Sequence, residues 1–116
     1  MGALMRNAYT AVIARGDVWE GAVQTEPYEA AWAGEAVFFV HVMEVSGQVN
    51  DPAVACVQIS PDGLRWVDEG ATLTIAPQAG SLSFARVSNF GGWLRLSVTV
   101  PAALGIKVVA TLALKA

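Results

Sequence analysis

The sequence predicts an all-β protein, an antiparallel β-sandwich of jelly-roll-like type with about eight strands. Apolar and polar residues alternate through most of the chain, with turn signals rich in glycine, proline and aspartate between the alternating segments. No long segment shows the period of about 3.6 residues that is typical of a helix. A length of 116 residues is ordinary for one domain. We therefore expect residues 1–116 to form a single sandwich, with residues 1–34 partly an N-terminal arm.

The predicted strands follow from this alternation in chain order. They are Ala8–Arg15, Gly21–Thr25, Val37–Val45, Ala53–Ser60, Ala71–Ala76, Ser81–Ser88, Trp93–Val100 and Ile106–Lys115. The last two alternate most clearly, and their aliphatic residues are expected to face the core. In the shorter Ser81–Ser88 segment, the larger apolar residues Leu82 and Phe84 are the expected inward side chains.

The strand Val37–Val45 differs from the others because both of its faces are apolar. Phe38 and Val40 share one face, while Phe39 and Met43 share the other. A strand that is apolar on both faces is central in a sheet or is covered by a neighbouring subunit. The pattern therefore makes Phe39 and Met43 candidates for contact with another protein.

The segment from Ile59 to Trp66 predicts a hairpin turn between two strands. Asp62 can accept hydrogen bonds from the turn backbone, and Gly63 can adopt a left-handed conformation. The segment is similar to the Asp-box hairpins of sialidase-like propellers, although those have one more residue between aspartate and glycine. A role in folding is the favoured interpretation, and contact with a partner at the hairpin tip is the alternative.

The chemistry-bearing residues indicate neither an enzyme nor a cofactor site. His41 is the only histidine, and its neighbours on the same strand face are Phe39 and Met43, whereas a general base needs a nucleophile or an orienting carboxylate in reach. Cys56 is the only cysteine, so the usual Cys/His zinc clusters are absent. We expect no catalytic residues, no metal and no cofactor.

Charge and hydropathy argue against two further classes of partner. The net charge is −3 and the seven basic residues are scattered, which is unlike a nucleic-acid-binding surface. No apolar stretch is long enough to cross a bilayer as a helix. With 54% hydrophobic residues, the chain instead predicts an apolar surface that a protein partner covers.

An acidic and aromatic segment, Glu26–Glu35, carries the next candidates. Tyr28 and Trp32 lie among three glutamates, and Trp19 precedes them. Aromatic residues dominate interface energetics, so an arm that packs on a neighbouring protein is the favoured interpretation. The predicted partner-interface residues are Trp19, Tyr28, Trp32, Phe39 and Met43. The alternative is a carbohydrate-binding module in which Tyr28 and Trp32, with Trp66 or Trp93, stack on sugar rings.

The order of these features is similar to a known class of proteins. It runs through Trp19-Glu20-Gly21, Phe38–Val42, Glu44–Gly47, Val57–Trp66 and Trp93–Val100. The series resembles the small β-sandwich virion proteins of tailed bacteriophages and prophages. The resemblance implies a capsid decoration protein, or another head or tail accessory part, that binds the major capsid lattice. We also expect a homo-oligomer, for which a trimer is one arrangement, that assembles in the host cytoplasm and resides in the virion.

Overall fold

In the computed structural model, which describes residues 8–116, nine strands form two antiparallel sheets. The strands are β1 (Ala8–Trp19), β2 (Ala22–Gln24), β3 (Tyr28–Glu29), β4 (Glu35–Ser46), β5 (Ala53–Ser60), β6 (Val67–Ile75), β7 (Leu82–Ser88), β8 (Trp93–Thr99) and β9 (Gly105–Lys115). Sheet A has the order β1-β9-β4-β7, and sheet B has the order β2-β8-β5-β6 with β3 also paired to β8. Apart from the two-residue β3, each sheet has four strands, as in a jelly roll. The predicted fold class is confirmed.

The core lies between the inner faces of the two sheets, as the alternation predicted. Leu94, Leu96 and Val98 of β8 are buried, and so are the aliphatic residues of β9 at alternate positions from Ile106 to Leu114. Strand β4 contributes Phe38 and its alternate neighbours from the opposite sheet. These interdigitating side chains bury the apolar surface that drives folding.

Three strands between residues 8 and 29 belong to the two sheets, within the segment expected to be partly an arm. Strand β1 pairs with β9 along its whole length, and β2 and β3 both pair with β8. Burying backbone amides without hydrogen-bond partners would cost free energy. These segments therefore pair with the edges that β9 and β8 would otherwise leave open. Residues 1–7 of the expected arm lie outside the described residues.

Trp19 was predicted to contact a partner, but it is a core residue with only 2% of its surface exposed. It lies at the end of β1 opposite Ile106, whose side chain is fully buried. The large indole therefore fills the core at this end of the sandwich and is not accessible to a partner.

Candidate functional site

The outer face of sheet A has an apolar centre exposed to solvent. Paired residues form rows across the four strands, in the order β1, β9, β4 and β7. One row consists of Val12, Thr111, Phe39 and Phe84, and the next row consists of Arg15, Val109, His41 and Leu82. Leu82 is 66% exposed and Phe84 is 52% exposed, and Val12, Val18 and Met43 are also exposed. Apolar residues scattered singly over a surface are normal, but a contiguous patch marks an interaction site.

Two aromatic rings at the edge of this face hold each other in place. The ring centroids of Phe39 and Phe84 are 6.3 Å apart, with their planes inclined by 39°. The guanidinium of Arg86 lies 5.2 Å from the centroid of the Phe84 ring on the same strand. Tilted ring pairs and cations over ring faces are both favourable arrangements. The aromatic part of the face is therefore already ordered before any partner binds.

Charged side chains border the apolar centre at both ends of the strands. Lys115 of β9 is opposite Glu35 of β4 at one end, and Lys107 is opposite Glu44 at the other. An apolar centre within a charged rim is the usual anatomy of a protein–protein interface. We define this surface, with its centre and rim, as the outer face of sheet A.

The predicted interface residues divide among three places. Phe39 is half-buried and Met43 is exposed on the outer face of sheet A, whereas Trp19 is in the core. Tyr28 is half-buried on β3, where burial and the neighbouring Tyr9 raise the pKa of its hydroxyl. Trp32 is 46% exposed in the turn between β3 and β4. The structure therefore separates the aromatic pair Tyr28 and Trp32 from Phe39 and Met43.

Strand β7 faces the opposite way from the prediction. Leu82 and Phe84 point outwards, and the smaller Ala85 and Val87 are buried. The register with β4 sets this orientation, because Phe84 pairs with the outward Phe39. Sequence reasoning therefore missed two large exposed apolar side chains of the outer face of sheet A, although their alternation with small residues was a usable signal.

The turn that carries Trp32 is fixed to both sheets by backbone hydrogen bonds. The Ala33 amide donates to the Ala30 carbonyl (3.0 Å), and the Ala30 amide donates to Gly92 beside β8 of sheet B (2.7 Å). The Gly34 amide donates to Lys115 of β9 in sheet A (2.8 Å). An indole exposed on such an anchored turn loses little conformational entropy when a partner covers it.

The hairpin between β5 and β6 is held by a local network of hydrogen bonds. The Ser60 hydroxyl accepts hydrogen bonds from the amides of Asp62 (3.2 Å) and Gly63 (2.8 Å) and donates to Asp62 Oδ1 (3.0 Å). The Asp62 carboxylate in turn accepts from the amides of Leu64 and Arg65, and Gly63 has a positive φ of 77°. The predicted hydrogen-bonding role of Asp62 and the left-handed Gly63 are confirmed.

The charge of the Asp62 carboxylate is strongly stabilised by this network. Hydrogen bonds from the Arg65 and Leu64 amides, with smaller contributions from Ser60 and the Arg65 side chain, lower its pKa to about 2. Arg65 also forms an ion pair with Asp62 at 3.2 Å. A carboxylate that accepts several backbone hydrogen bonds stays ionised well below its ordinary pKa.

The outer face of sheet B is more polar and carries two tryptophans. The Arg95 guanidinium lies 4.3 Å from the Trp66 ring centroid, and Arg95 Nε donates to Gln58 (2.8 Å). Gln58 in turn donates to Asp68 (2.9 Å). Trp93 packs against Gly63, where a Cβ would be 3.2 Å from the indole ring. Both indoles therefore already contact protein groups on at least one side.

The remaining chemistry-bearing residues lie apart from one another. His41 is on the outer face of sheet A between Val109 and Leu82, while Cys56 is half-buried on β5 with a free thiol. No three histidine, cysteine, aspartate or glutamate side chains among residues 8–116 are placed to hold a metal ion. The same residues include no helix long and apolar enough to cross a membrane.

Comparison with known proteins gives matches at the level of fold. No protein-family model matches the chain, and no curated protein matches it. Among solved structures, the SPBc2 prophage-derived protein YomS superposes with a TM-score of 0.60 at 8% identity, over 97% of this chain and 96% of YomS. The PBSX exported protein XepA superposes with a TM-score of 0.59 at 11% identity, over 97% of this chain but only 37% of XepA.

A third solved structure with the same fold is a Bacillus endospore appendage protein, described as forming disulfide-linked pili. It gives a TM-score of 0.53 at 13% identity, over 95% of this chain and 89% of the pilus chain. At such low identities, shared structure establishes a shared fold and leaves function to be argued from the surfaces. The chain has the β-sandwich fold of these prophage-derived and appendage proteins, and its resemblance to that class is confirmed at this level.

Proposed function

We propose that this protein is a structural virion component, a capsid decoration or stabilising protein that binds the major capsid lattice. The observation that carries the proposal is the exposed Trp32 on its anchored turn, on a fold shared with prophage-derived proteins. A rigid sandwich with an ordered aromatic anchor is well suited to binding a capsid lattice. Each contact can be small, because the same contact is repeated at many sites over the shell.

The turn around Trp32 supplies the chemistry for a shell contact. Trp32 and the half-buried Tyr28 are flanked by the exposed carboxylates Glu26 and Glu29. The aromatic rings contribute contact area, while the carboxylates favour a neutral or basic recess on the shell. In this proposal the protein resides in the virion and joins the shell during assembly in the host.

A shell-binding assay tests the proposal. Purified protein is mixed with assembled major-capsid-protein shells of the phage or prophage that encodes it, and the bound fraction is measured by co-sedimentation. We expect saturable binding that Trp32→Ala weakens at least tenfold, because the mutation removes the central anchor. Val54→Ala is the control, since Val54 is exposed on β5 and pairs with Thr99, at the opposite end of β8 from the residues that pair with β3. Absence of wild-type binding contradicts the proposal.

A second candidate function is supported by the outer face of sheet B. There Trp66 and Trp93 lie near Arg95, Gln58 and Asp68, a combination of rings and polar groups that can bind a sugar. The candidate is weaker because the Trp66 ring is covered by the Arg95 guanidinium on one face. A glycan array tests it directly. Binding that Trp66→Ala abolishes would favour this function, and an array without hits would reject it.

A further inference from the structure

We propose that the outer face of sheet A binds a second copy of this chain, giving a two-fold symmetric dimer. The symmetry axis runs parallel to the strands and passes between β9 and β4. This contact goes beyond the proposed function, because it forms between free copies in the absence of a shell. The size of the face, its apolar centre and the arrangement of its charges all support this contact.

The face is large enough for a stable dimer. Sheet A is four strands wide and its longest strands have 12 residues. With strands about 4.8 Å apart and a rise of about 3.4 Å per residue, the face measures roughly 19 by 40 Å, on the order of 750 Å². Stable interfaces bury roughly 600–1,000 Å² on each partner. The outer face of sheet A therefore reaches the required size without help from other surfaces.

In the central row the proposed axis places apolar side chains together, and in the next row the long side chain of Arg15 lies over Leu82 of the second copy. Rotation about this axis exchanges β9 with β4 and β1 with β7. Val12 then lies over Phe84 of the second copy, and Thr111 lies over Phe39 of the second copy. The exposed rings of one copy thereby cover the exposed aliphatic groups of the other, which removes apolar surface from water.

The charged rim selects this axis over the perpendicular one. About the strand-parallel axis, Lys115 faces Glu35 of the second copy and Lys107 faces Glu44 of the second copy. About an axis across the strands, Lys115 would face Lys107 and Glu35 would face Glu44, which is repulsive at both ends. Only the first arrangement gives the self-complementary contact that an isologous dimer needs.

The twist of packed sheets is compatible with these pairs. Face-to-face sheets cross at about 30°, so residues about 14 Å from the axis centre are displaced by roughly 7 Å. The rim residues are lysines and glutamates, whose long flexible side chains can span such a displacement. Thr111 and Phe39 lie next to the axis near the middle of the strands, where the displacement is smallest.

Two charge-reversed variants test the arrangement. An acidic variant carries Lys107→Glu and Lys115→Glu, and a basic variant carries Glu35→Lys and Glu44→Lys. In analytical ultracentrifugation the wild-type protein should sediment at about 24 kDa, twice the 12.2 kDa of one chain. Each variant alone should be monomeric, with at least about 100-fold weaker self-association, because each axis-related pair becomes repulsive. An equimolar mixture should restore a dimer that contains one copy of each.

Single apolar substitutions provide an independent test of the same face. Leu82→Asp and Phe84→Asp place a charge at positions that are exposed in the free chain, so folding is retained and the dimer is lost. Leu64→Asp is the matched control and should leave the dimer intact. Far-ultraviolet circular dichroism confirms that each variant is folded. A wild-type monomer, or an oligomer that is insensitive to Leu82→Asp and to mixing of the two charged variants, overturns the proposal.

The two proposals fail separately. Dimer formation is measured on purified full-length protein without a shell, and Trp32→Ala should not change it because Trp32 lies outside sheet A. Shell binding is measured with wild-type protein whatever its oligomeric state. A dimer that does not bind shells contradicts the virion role alone, and a shell-binding monomer contradicts the dimer alone.

Discussion

Replacement of Ser60 by alanine tests whether the hairpin after β5 is a folding device. The Ser60 side chain is buried and takes part in three hydrogen bonds, two accepted from turn amides and one donated to Asp62. Each such bond contributes about 0.5–1.5 kcal/mol net, and the turn amides can regain water when the hydroxyl is removed. We therefore expect Ser60→Ala to lower the free energy of unfolding by about 2 kcal/mol.

Urea denaturation measures this loss. The midpoint of unfolding should fall while the slope of the transition stays unchanged, because the same surface is exposed on unfolding. Ser88→Ala is the control, since Ser88 is an exposed serine at the end of β7 and should change stability by less than about 0.5 kcal/mol. A loss in Ser60→Ala as small as that of the control would refute the structural role of the network.

Three further predictions concern charge, backbone and packing. The Asp62 pKa of about 2 lies below the ordinary 3.8, so the contribution of the Asp62 carboxylate to folding stability is complete above about pH 4 and is lost as the pH falls towards 2. Titration of the Asp62 carboxyl carbon by NMR should give a midpoint of about 2. Gly47→Ala should cost about 2 kcal/mol or more in thermal unfolding, because Gly47 has a φ of 94° and a Cβ would collide with the Ala103 carbonyl. Leu96→Ala should cost about 3 kcal/mol because Leu96 is fully buried, whereas the exposed Leu82→Ala should cost less than about 0.5 kcal/mol in the monomer; equal costs would contradict the orientation of β7.

The strands that sequence predicted best are those with unbroken alternation. In β8 and β9 every second residue is aliphatic and the residues between are mostly polar or small, so only one face can be buried. In β4 the alternation is ambiguous because both faces are apolar, and the sequence left open whether the strand is central or covered by a partner. The structure shows a strand central in sheet A, and its outer side chains Phe39 and Met43 form part of the exposed face.

The orientation of β7 could not be deduced from the sequence by size alone. Leu82 and Phe84 are larger and more apolar than Ala85 and Val87, so burial of the larger pair was expected. Strand β7 lies at the edge of sheet A, where it contacts β6 of the other sheet. Small inward residues fit where the two sheets meet, and the pairing of β7 with β4 fixes which alternate residues of β7 face the core. Which face of β7 is buried is decided only by its register with β4, and that register depends on residues far apart in the sequence.

The N-terminal segment shows a different limit of sequence reasoning. Its strands are short or interrupted by register shifts, as between Val12 and Ala14, and such segments give a weak alternation signal. Their partners β8 and β9 lie more than 60 residues away, so a local pattern cannot reveal the pairing. The burial of Trp19 depends on that pairing, which is why it was predicted as a surface residue.

Composition and register together localise the candidate interface, although neither does so alone. A 54% hydrophobic content indicates more apolar side chains than a core of this size needs, without saying where the excess lies. Had the excess been spread over both sheets, it would carry no argument for a partner. The register instead gathers Val12, Phe39, Leu82 and Phe84 on one outer face. On the outer face of sheet B, the exposed Val54 lies between two threonines, and a polar network surrounds Arg95. This asymmetry is the physical reason to expect association through sheet A and not through sheet B.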